Sequence, residues 1–321
     1  MRAGSTLRSG SSGDAAMKSK FKSSVFFKNL YLFRITKGWF PEEDALFQHC
    51  LISCGEADLS TAGWIPVVHD RMLLRVEGHF LIRFGVEEKV LPPAAIRHEF
   101  DKRVQQLEIN FDRSLTRAER NELQELVMRE MVRKAFTKTR YTSVWIDSEL
   151  GLLAIDTTSE NRADEVRRAL HRLNPDLKFK SLYTRKVAPD AMTAWLMQPS
   201  VAPFDVMGSC VLKGEEGRVT YSNEDLSGSD VIDQISRGMM VVRLALEHNR
   251  QILFTLDGSG IFRKVTLTDV ATEKAMDDPV EDVVDKMSVD LTLMVYEYRG
   301  LIESVLSALG GSLNEDQDMA A

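Results

Sequence analysis

The hydrophobic positions of this chain change period along its length, and each change predicts a change of element. From Phe26 to Ile35 (FFKNLYLFRI) aromatic and aliphatic residues crowd into a short run, which predicts a buried strand. Pro41 followed by Glu42, Glu43 and Asp44 opens a short helix, with proline in the first turn and acids where the helix dipole favours them. Gly63–Pro66 (GWIP) has the composition of a turn holding a packed Trp. Met72–Val76 and His79–Phe84 face each other across Glu77-Gly78 and predict a hairpin. Glu87–Pro93 (EEKVLPP) then ends the sheet, because proline donates nothing to a ladder.

From Ala94 the period becomes helical. Ile96, Phe100, Val104, Leu107 and Phe111 form one apolar stripe. A polar joint, Asn110–Ser114, follows, and Thr116-Arg117-Ala118-Glu119 is a capping box that starts a second helix with Leu123, Leu126, Val127 and Met131 inside. Each stripe needs a partner and the other is nearest, so the pair predicts an antiparallel helical hairpin projecting from a sheet. Residues 143–157 predict a second β-hairpin turning at Ser148–Gly151. A helix over Arg162–Leu173 is stopped by Asn174-Pro175, and Lys178–Tyr183 is a strand.

The second half is mostly antiparallel. Cys210–Leu212 and Val219–Tyr221 are short strands, and Asp230–Ser236 is a short helix closed by Gly238. Met239–Glu247, Gln251–Asp257 and Ile261–Leu267 form a meander, with Gly258-Ser259-Gly260 as a turn. A long helix starts near Pro279, buries Met287, Leu291, Met294, Leu301, Val305 and Leu309, and ends at Gly310-Gly311. The class is therefore α+β: antiparallel sheets with a projecting helical hairpin and a long C-terminal helix. The expected divisions are a disordered tail (1–24), an N-terminal sheet region (25–92), the basic hairpin (93–142), the rest of the N-terminal lobe (143–190), a C-terminal lobe (191–311) and a disordered acidic tail (312–321). With 321 residues, 44% of them hydrophobic, two or three lobes fit better than one core. The N-terminus lacks the apolar core of a secretory signal, no run suits a bilayer, and no membrane partner is expected.

Charge changes this picture most. The formal net charge is −7, yet the stretch from Arg129 to Asp147 (REMVRKAFTKTRYTSVWID) has no acid after Glu130 before Asp147. If helical, Arg129, Arg133, Lys134, Lys138 and Arg140 fall within about three turns, beside Phe136 and Tyr141. Residues 97–140 carry eleven Lys/Arg against eight acids, while residues 270–321 carry three against twelve. A basic surface on an acidic chain points to a polyanion, of which nucleic acid is the commonest. Solvated helix flanks are the plainer reading of the same charges.

Other chemistry is thinly signalled. The cysteines Cys50, Cys54 and Cys210 form no disulfide framework and suit a reducing compartment. A zinc site from His49, Cys50, Cys54 and His69 has loose spacing, and buried apolar cysteines are the better expectation. Asp147 and Asp156, at the ends of adjacent predicted strands, together with Glu87-Glu88-Lys89, allow a metal-dependent nuclease, although aspartate also sits at such places for local turn reasons. A third possibility is a protein-interaction scaffold whose acidic C-terminal helix binds a basic partner. No Gly-x4-Gly-Lys-Ser/Thr loop is present, no cofactor is expected, and His79, His98, His171 and His248 are given no catalytic role.

Ordered local matches then carry a resemblance: FKNL (Phe27–Leu30), GWIP, EEKVLP (Glu87–Pro92), RKAFTK (Arg133–Lys138), VWID (Val144–Asp147), TAWL (Thr193–Leu196), the RLALEHNRQILFTLDGSGIFRKVTL meander and the ending LSALGG. In this order they resemble the RdgC recombination-associated proteins of bacteria, from about Phe26 to Gly311. The resemblance implies a homodimeric ring, cytoplasmic and nucleoid-associated, that binds double-stranded DNA (single-stranded DNA being the second candidate) with little sequence preference. It implies restraint of RecA-driven strand exchange and action at stalled replication forks, without enzymatic activity. It implies Lys102, Arg103, Arg117, Arg120, Arg129, Arg133, Lys134, Lys138 and Arg140 as DNA-binding residues. It also places Phe136 near the hairpin tip at one subunit contact, and Asn223 and Glu224 at the other. There the chain reads SNEDL (Ser222–Leu226), where the family often carries a basic stretch.

Overall fold

The computed structural model describes residues 25–198, 202–215, 217–269 and 282–312. The two terminal tails expected from the sequence, except Ser312, and the expected helix start at Pro279 lie outside the described residues. The chain is α+β, with two antiparallel sheets and, among the described residues, seven helices.

The first sheet has seven strands: β1 (Tyr31–Ile35), β2 (Ser60–Ile65), β3 (Leu73–Val76), β4 (His79–Lys89), β5 (Thr137–Asp147), β6 (Leu152–Ile155) and β7 (Phe179–Ser181). Their order is β2-β4-β5-β6-β1-β7, with β3 also on β4. One face packs Phe80, Ile82, Phe84, Val144, Ile146 and Leu153 against helix α4 (Glu160–Leu173). The other buries Leu32, Leu74, Leu81, Trp145, Leu152 and Ala154 in a core shared with the second lobe. Sheets covered on both faces have strands that run apolar without alternating, as β4 and β6 do.

The second sheet follows the order β12-β11-β10-β8-β9, from β8 (Asp205–Lys213), β9 (Arg218–Ser222), β10 (Met240–His248), β11 (Ile252–Asp257) and β12 (Phe262–Leu267). Helix α5 (Ala188–Met197), α6 (Ser229–Ser236) and the 26-residue α7 (Val283–Ala308) complete that lobe. The apolar stripe expected on α7 is buried, from Met287 through Val305. The two lobes are bonded as well as packed: Leu30 and Phe262 exchange backbone hydrogen bonds at 2.9 and 3.2 Å.

The helical hairpin is an insertion between β4 and β5. Helix α2 (Pro93–Phe111) goes out and α3 (Arg117–Lys134) returns. At 1.5 Å per residue, 19 residues make a finger about 28 Å long. Its small core is Val104, Leu115, Leu123 and Val127. The capping box is present: Thr116 Oγ1 accepts from the Glu119 amide at 3.3 Å, and Glu119 accepts from the Thr116 amide at 2.8 Å.

Four expectations are corrected. Gly63–Ile65 are strand, not turn. A Cβ on Gly63 would come within 2.6 Å of the Cys50 carbonyl, so glycine is what lets the Leu51 amide donate to Trp64 and the Trp64 amide donate to the His49 carbonyl. The basic run is not one helix: α3 ends at Lys134, and Lys138 and Arg140 lie on β5. Of the cysteines only Cys210 is buried, while Cys50 is exposed. Helix α5 was not foreseen. Short α1 (Glu43–Gln48) follows Pro41 as expected.

The Tyr298 hydroxyl of α7, fully buried, donates to the Phe27 carbonyl at 2.7 Å and ties together segments 271 residues apart. Tyr298→Phe leaves that carbonyl unsatisfied and should cost about 1–3 kcal/mol, read as a lower denaturant midpoint with an unchanged slope. An unchanged midpoint would show that the bond contributes nothing.

Candidate nucleic-acid interface

The nine basic residues expected at the interface divide by what they already touch. Arg103 is bound across the hairpin, with Nε 2.9 Å from Glu99 on its own helix and Nη2 2.6 Å from Glu130 on α3. These carboxylates, Glu130 first, raise the guanidinium pKa further above its ordinary value. Arg120 reaches back to Glu108 at 2.8 Å, and Glu108 also accepts from the Leu115 amide, so this pair holds the hairpin turn. Arg140 Nη1 is shared between the two carboxylate oxygens of Glu88 on β4, at 3.2 and 3.1 Å, and the guanidinium faces Glu165 of α4. These three arginines hold the hairpin and its root together.

Among the described residues Lys102, Arg117, Arg129, Lys134 and Lys138 have no ion pair, and all are exposed. Arg133 meets only Glu56, at 3.6 Å and with both side chains in solvent, an arrangement worth little. Helical geometry separates the six. Lys102 lies on the side of α2 away from α3, and Arg129 and Arg133 on the side of α3 away from α2. Arg129, Arg133 and Lys134 end α3, and Lys138 follows on β5. These four gather at the base of the finger; Arg117 is near its tip and Lys102 on the opposite flank.

Phe136 stands at that base, not near the tip, where residues 112–116 turn. It is 87% exposed although its carbonyl is held by the Val90 amide at 2.8 Å. Exposed Val90 is its backbone partner, and exposed Leu59 accepts from the amide of the preceding residue, Lys89. Tyr141, half-exposed, lies under the Arg83 guanidinium at 5.3 Å. In the second lobe Asn223 adopts a left-handed φ of 57°, and the Glu224 amide donates to Gly208 at 2.9 Å. A Cβ on Gly208 would press on the Glu224 carbonyl at 2.7 Å, so the glycine seats this loop against β8.

The carboxylates considered for metal chemistry do not converge. Asp147 pairs in register with Leu152, whereas Asp156 bonds back to Ser143, four residues earlier on β5, a separation of about 13 Å. Asp147, with no exposed surface, accepts from the Leu150 amide at 2.9 Å and has Arg299 Nε 2.9 Å away. Asp156 accepts from the Asn29 backbone and side chain, and burial raises its pKa. His79 lies 3.8 Å from Asp147, but its Nδ1 accepts from Trp145 Nε1 and burial pushes its pKa down, so it is a neutral packing group. Among the described residues no three His, Cys, Asp or Glu side chains are grouped to hold a metal ion. Among the same residues no helix is long and apolar enough to cross a membrane.

Comparison with known proteins adds to this geometry. A family model described as "Putative exonuclease, RdgC" matches residues 25–312. A protein of Cupriavidus pinatubonensis named recombination-associated protein RdgC is 32% identical over 297 residues, covering 89% of this chain and 99% of that protein. Proteins of the same name from Actinobacillus succinogenes and Mannheimia succiniciproducens are each 28% identical, covering 89% and 90% of this chain and 98% and 99% of their own.

The finger's return helix carries a pH signature. The Arg113 fork holds the Glu119 carboxyl down at about 2, helped by the Thr116 amide and hydroxyl. With the folded pKa depressed, this contribution is present above the ordinary glutamate value of about 4.3 and is lost as pH falls through about 2. An NMR titration of the Glu119 carboxyl should therefore give a midpoint near 2. A midpoint at the ordinary value would mean that the fork and cap do not hold in solution.

Proposed function

The chain belongs to the RdgC family, whose relatives are named for recombination, and from that premise we propose that it binds double-stranded DNA without sequence preference. The carrying observation is the group of cations at the finger's base. Among the described residues Arg129, Lys134 and Lys138 have no ion pair, and Arg133 has only a solvated one. Lys and Arg held on rigid elements and free of internal carboxylates neutralise phosphates and release condensed counterions. Contacts of this kind position a duplex and carry no base code. Arg103, Arg120 and Arg140 act here as structural cations. Lys102 and Arg117 meet DNA only where it passes the outer flank of α2 or the tip.

In this reading two copies close a ring around the duplex in the cytoplasm, at the nucleoid, and limit the access of RecA during recombination and fork repair. Phe136, with Val90 and Leu59 nearby, gives one contact its apolar centre, since a lone aromatic so exposed is well suited to burial by a partner. Asn223 and Glu224, seated on β8, form the second contact. Single-stranded DNA is a weaker ligand, with Tyr141 already engaged by Arg83.

The nuclease reading is supported by the family description and opposed by the separation of Asp147 from Asp156 and by the pairing of Asp147 with Arg299. The scaffold reading requires a chain without duplex affinity at moderate salt.

Fluorescence anisotropy of a mixed-sequence duplex should show binding that falls with salt at a log–log slope of about −3 to −4 per protomer, from four contacts at about 0.9 each. Lys134→Glu with Lys138→Glu should weaken binding to all sequences alike and flatten the slope, while Arg103→Gln should loosen the finger instead. No binding at low salt, or reversals without effect, would remove this surface from the mechanism. Nicking of plasmid in Mg²⁺ or Mn²⁺ above background would restore the nuclease reading.

Phe136→Ser should shift sedimentation toward monomer. An unchanged dimer would assign Phe136 to another role.

A further inference from the structure

The second lobe carries a basic groove of its own, on a different sheet from the finger. About 700 Å³ in volume, it opens where the β8–β9 turn, the first half of β10 and the β11–β12 turn come together. Lys213, Arg218, Arg243 and Arg263 line it, with Asp257 and Glu215 as the acids among its described lining residues. Register puts the four cations on one face. Lys213 is directly opposite Arg218, and Arg243 is opposite both Val211 and Asp257. Val211 and Lys213 are two apart on β8 and so share a face. Thr255, two before Asp257, carries that face on to its partner Arg263. The other face of the same strands, with Leu212, Leu244 and Leu256, is buried in the shared core.

Arg243 reaches this face through a bulge. Val241 is opposite Leu212 and Arg243 is opposite Val211, so β10 has one extra residue, Val242, between them. The Val242 carbonyl accepts from the Gly258 amide at 2.9 Å. Without the extra residue Arg243 would share the inward face of Val241. Bulges re-aim side chains in this way and recur beside functional sites. Asp257, buried, is already engaged: its Oδ1 accepts from the Ser259 and Ile261 amides at 3.0 Å each, and its Oδ2 from Arg263 Nε at 2.5 Å. Among the described residues Lys213, Arg218 and Arg243 make no ion pair, and exposed Glu215 engages none of them. Lys213 and Arg218 therefore meet as like charges directly across a strand pair, which is unfavourable until an anion comes between them.

We infer that this groove is a binding site for phosphate groups, held between Lys213, Arg218 and Arg243. Three unpaired cations on three neighbouring strands, spaced about 4.8 Å from strand to strand, suit a ligand with several negative charges better than a single carboxylate. Phosphate oxygens take charge-assisted hydrogen bonds from all three. The strands hold the cations in place beforehand, so binding orders little of the protein. Arg263, fixed by Asp257, forms the wall toward β12. A free oligophosphate and a run of nucleic-acid backbone present the same chemistry, and the test separates these two sources. The inference does not rest on the finger, and it stands whether or not the finger binds DNA.

The test is isothermal titration calorimetry of the full chain with inorganic tripolyphosphate at low salt. Binding should appear and should weaken as salt is added. Lys213→Glu/Arg218→Glu should weaken it by about tenfold or more, the effect of losing a charge-assisted contact. Both side chains are exposed, so this change tests charge and not packing. Arg243→Gln should weaken it as well, while Arg243→Lys keeps most of the affinity. Lys134→Glu/Lys138→Glu should leave it unchanged, so that a failure of the finger and a failure of this groove read out separately. Duplex anisotropy on the Lys213→Glu/Arg218→Glu chain then identifies the source. Weakened duplex binding assigns the groove to backbone phosphates, and unchanged binding assigns it to a free oligophosphate. Absence of tripolyphosphate binding, or binding that the groove variants do not move, would overturn the inference.

Discussion

The contact between Asp147 and Arg299 is the constraint on which the two-lobed arrangement depends. Asp147 closes β5 at the turn into β6 and has no exposed surface. A buried carboxylate without partners is several kcal/mol unfavourable. It has two here, the Leu150 amide within its own turn and Arg299 of α7. Arg299 also reaches Glu149 at 3.1 Å. The long helix therefore cannot slide along the sheet without stranding a charge. The next residue back, Tyr298, fixes the same turn of helix to Phe27. Adjacent residues of one helix thus hold both ends of the first lobe, and the apolar shared core fills the space between them.

That helix also decides where acidity and basicity stand. The finger leaves the sheet between β4 and β5, with its cations at the root. Helix α7, which carries Asp285, Asp290, Glu297 and Glu303, ends beside β7, at the other end of the sheet order. Among the described residues, the basic root of the finger and the acids of α7 therefore stand on different elements.

Much of this was legible where the signal is local. The hairpin helices followed from a 3-and-4 apolar spacing and from a Thr116/Glu119 cap four residues long. The β3–β4 and β5–β6 turns followed from Glu77-Gly78 and Ser148–Gly151 between apolar runs. What failed depended on distant partners. Gly63-Trp64-Ile65 reads as a turn until Cys50–Leu51 is known to lie against it. Helix α5 has a mostly apolar sequence, AMTAWLM, without polar alternation, so no period marks it. The basic run looked helical because charge has no period of its own. Ala135, with an extended backbone, ends α3, and the Val90 amide takes the Phe136 carbonyl; neither is visible in residue order.

The same limit applies to the site. Sequence identifies Lys and Arg, but the carboxylate facing each one decides whether it is available to a ligand. Arg103 and Lys102 are neighbours in sequence with opposite fates. Arg103 points inward, where Glu130 arrives from the returning helix, and becomes part of the scaffold. Lys102, about 100° round the helix, makes no ion pair among the described residues. Between consecutive residues, a rotation of about 100° separates a structural cation from one turned to solvent. A count of basic residues therefore overstates the surface proposed to meet DNA, and subtracting the cations held by half-buried carboxylates leaves Arg129, Arg133, Lys134 and Lys138 at its root.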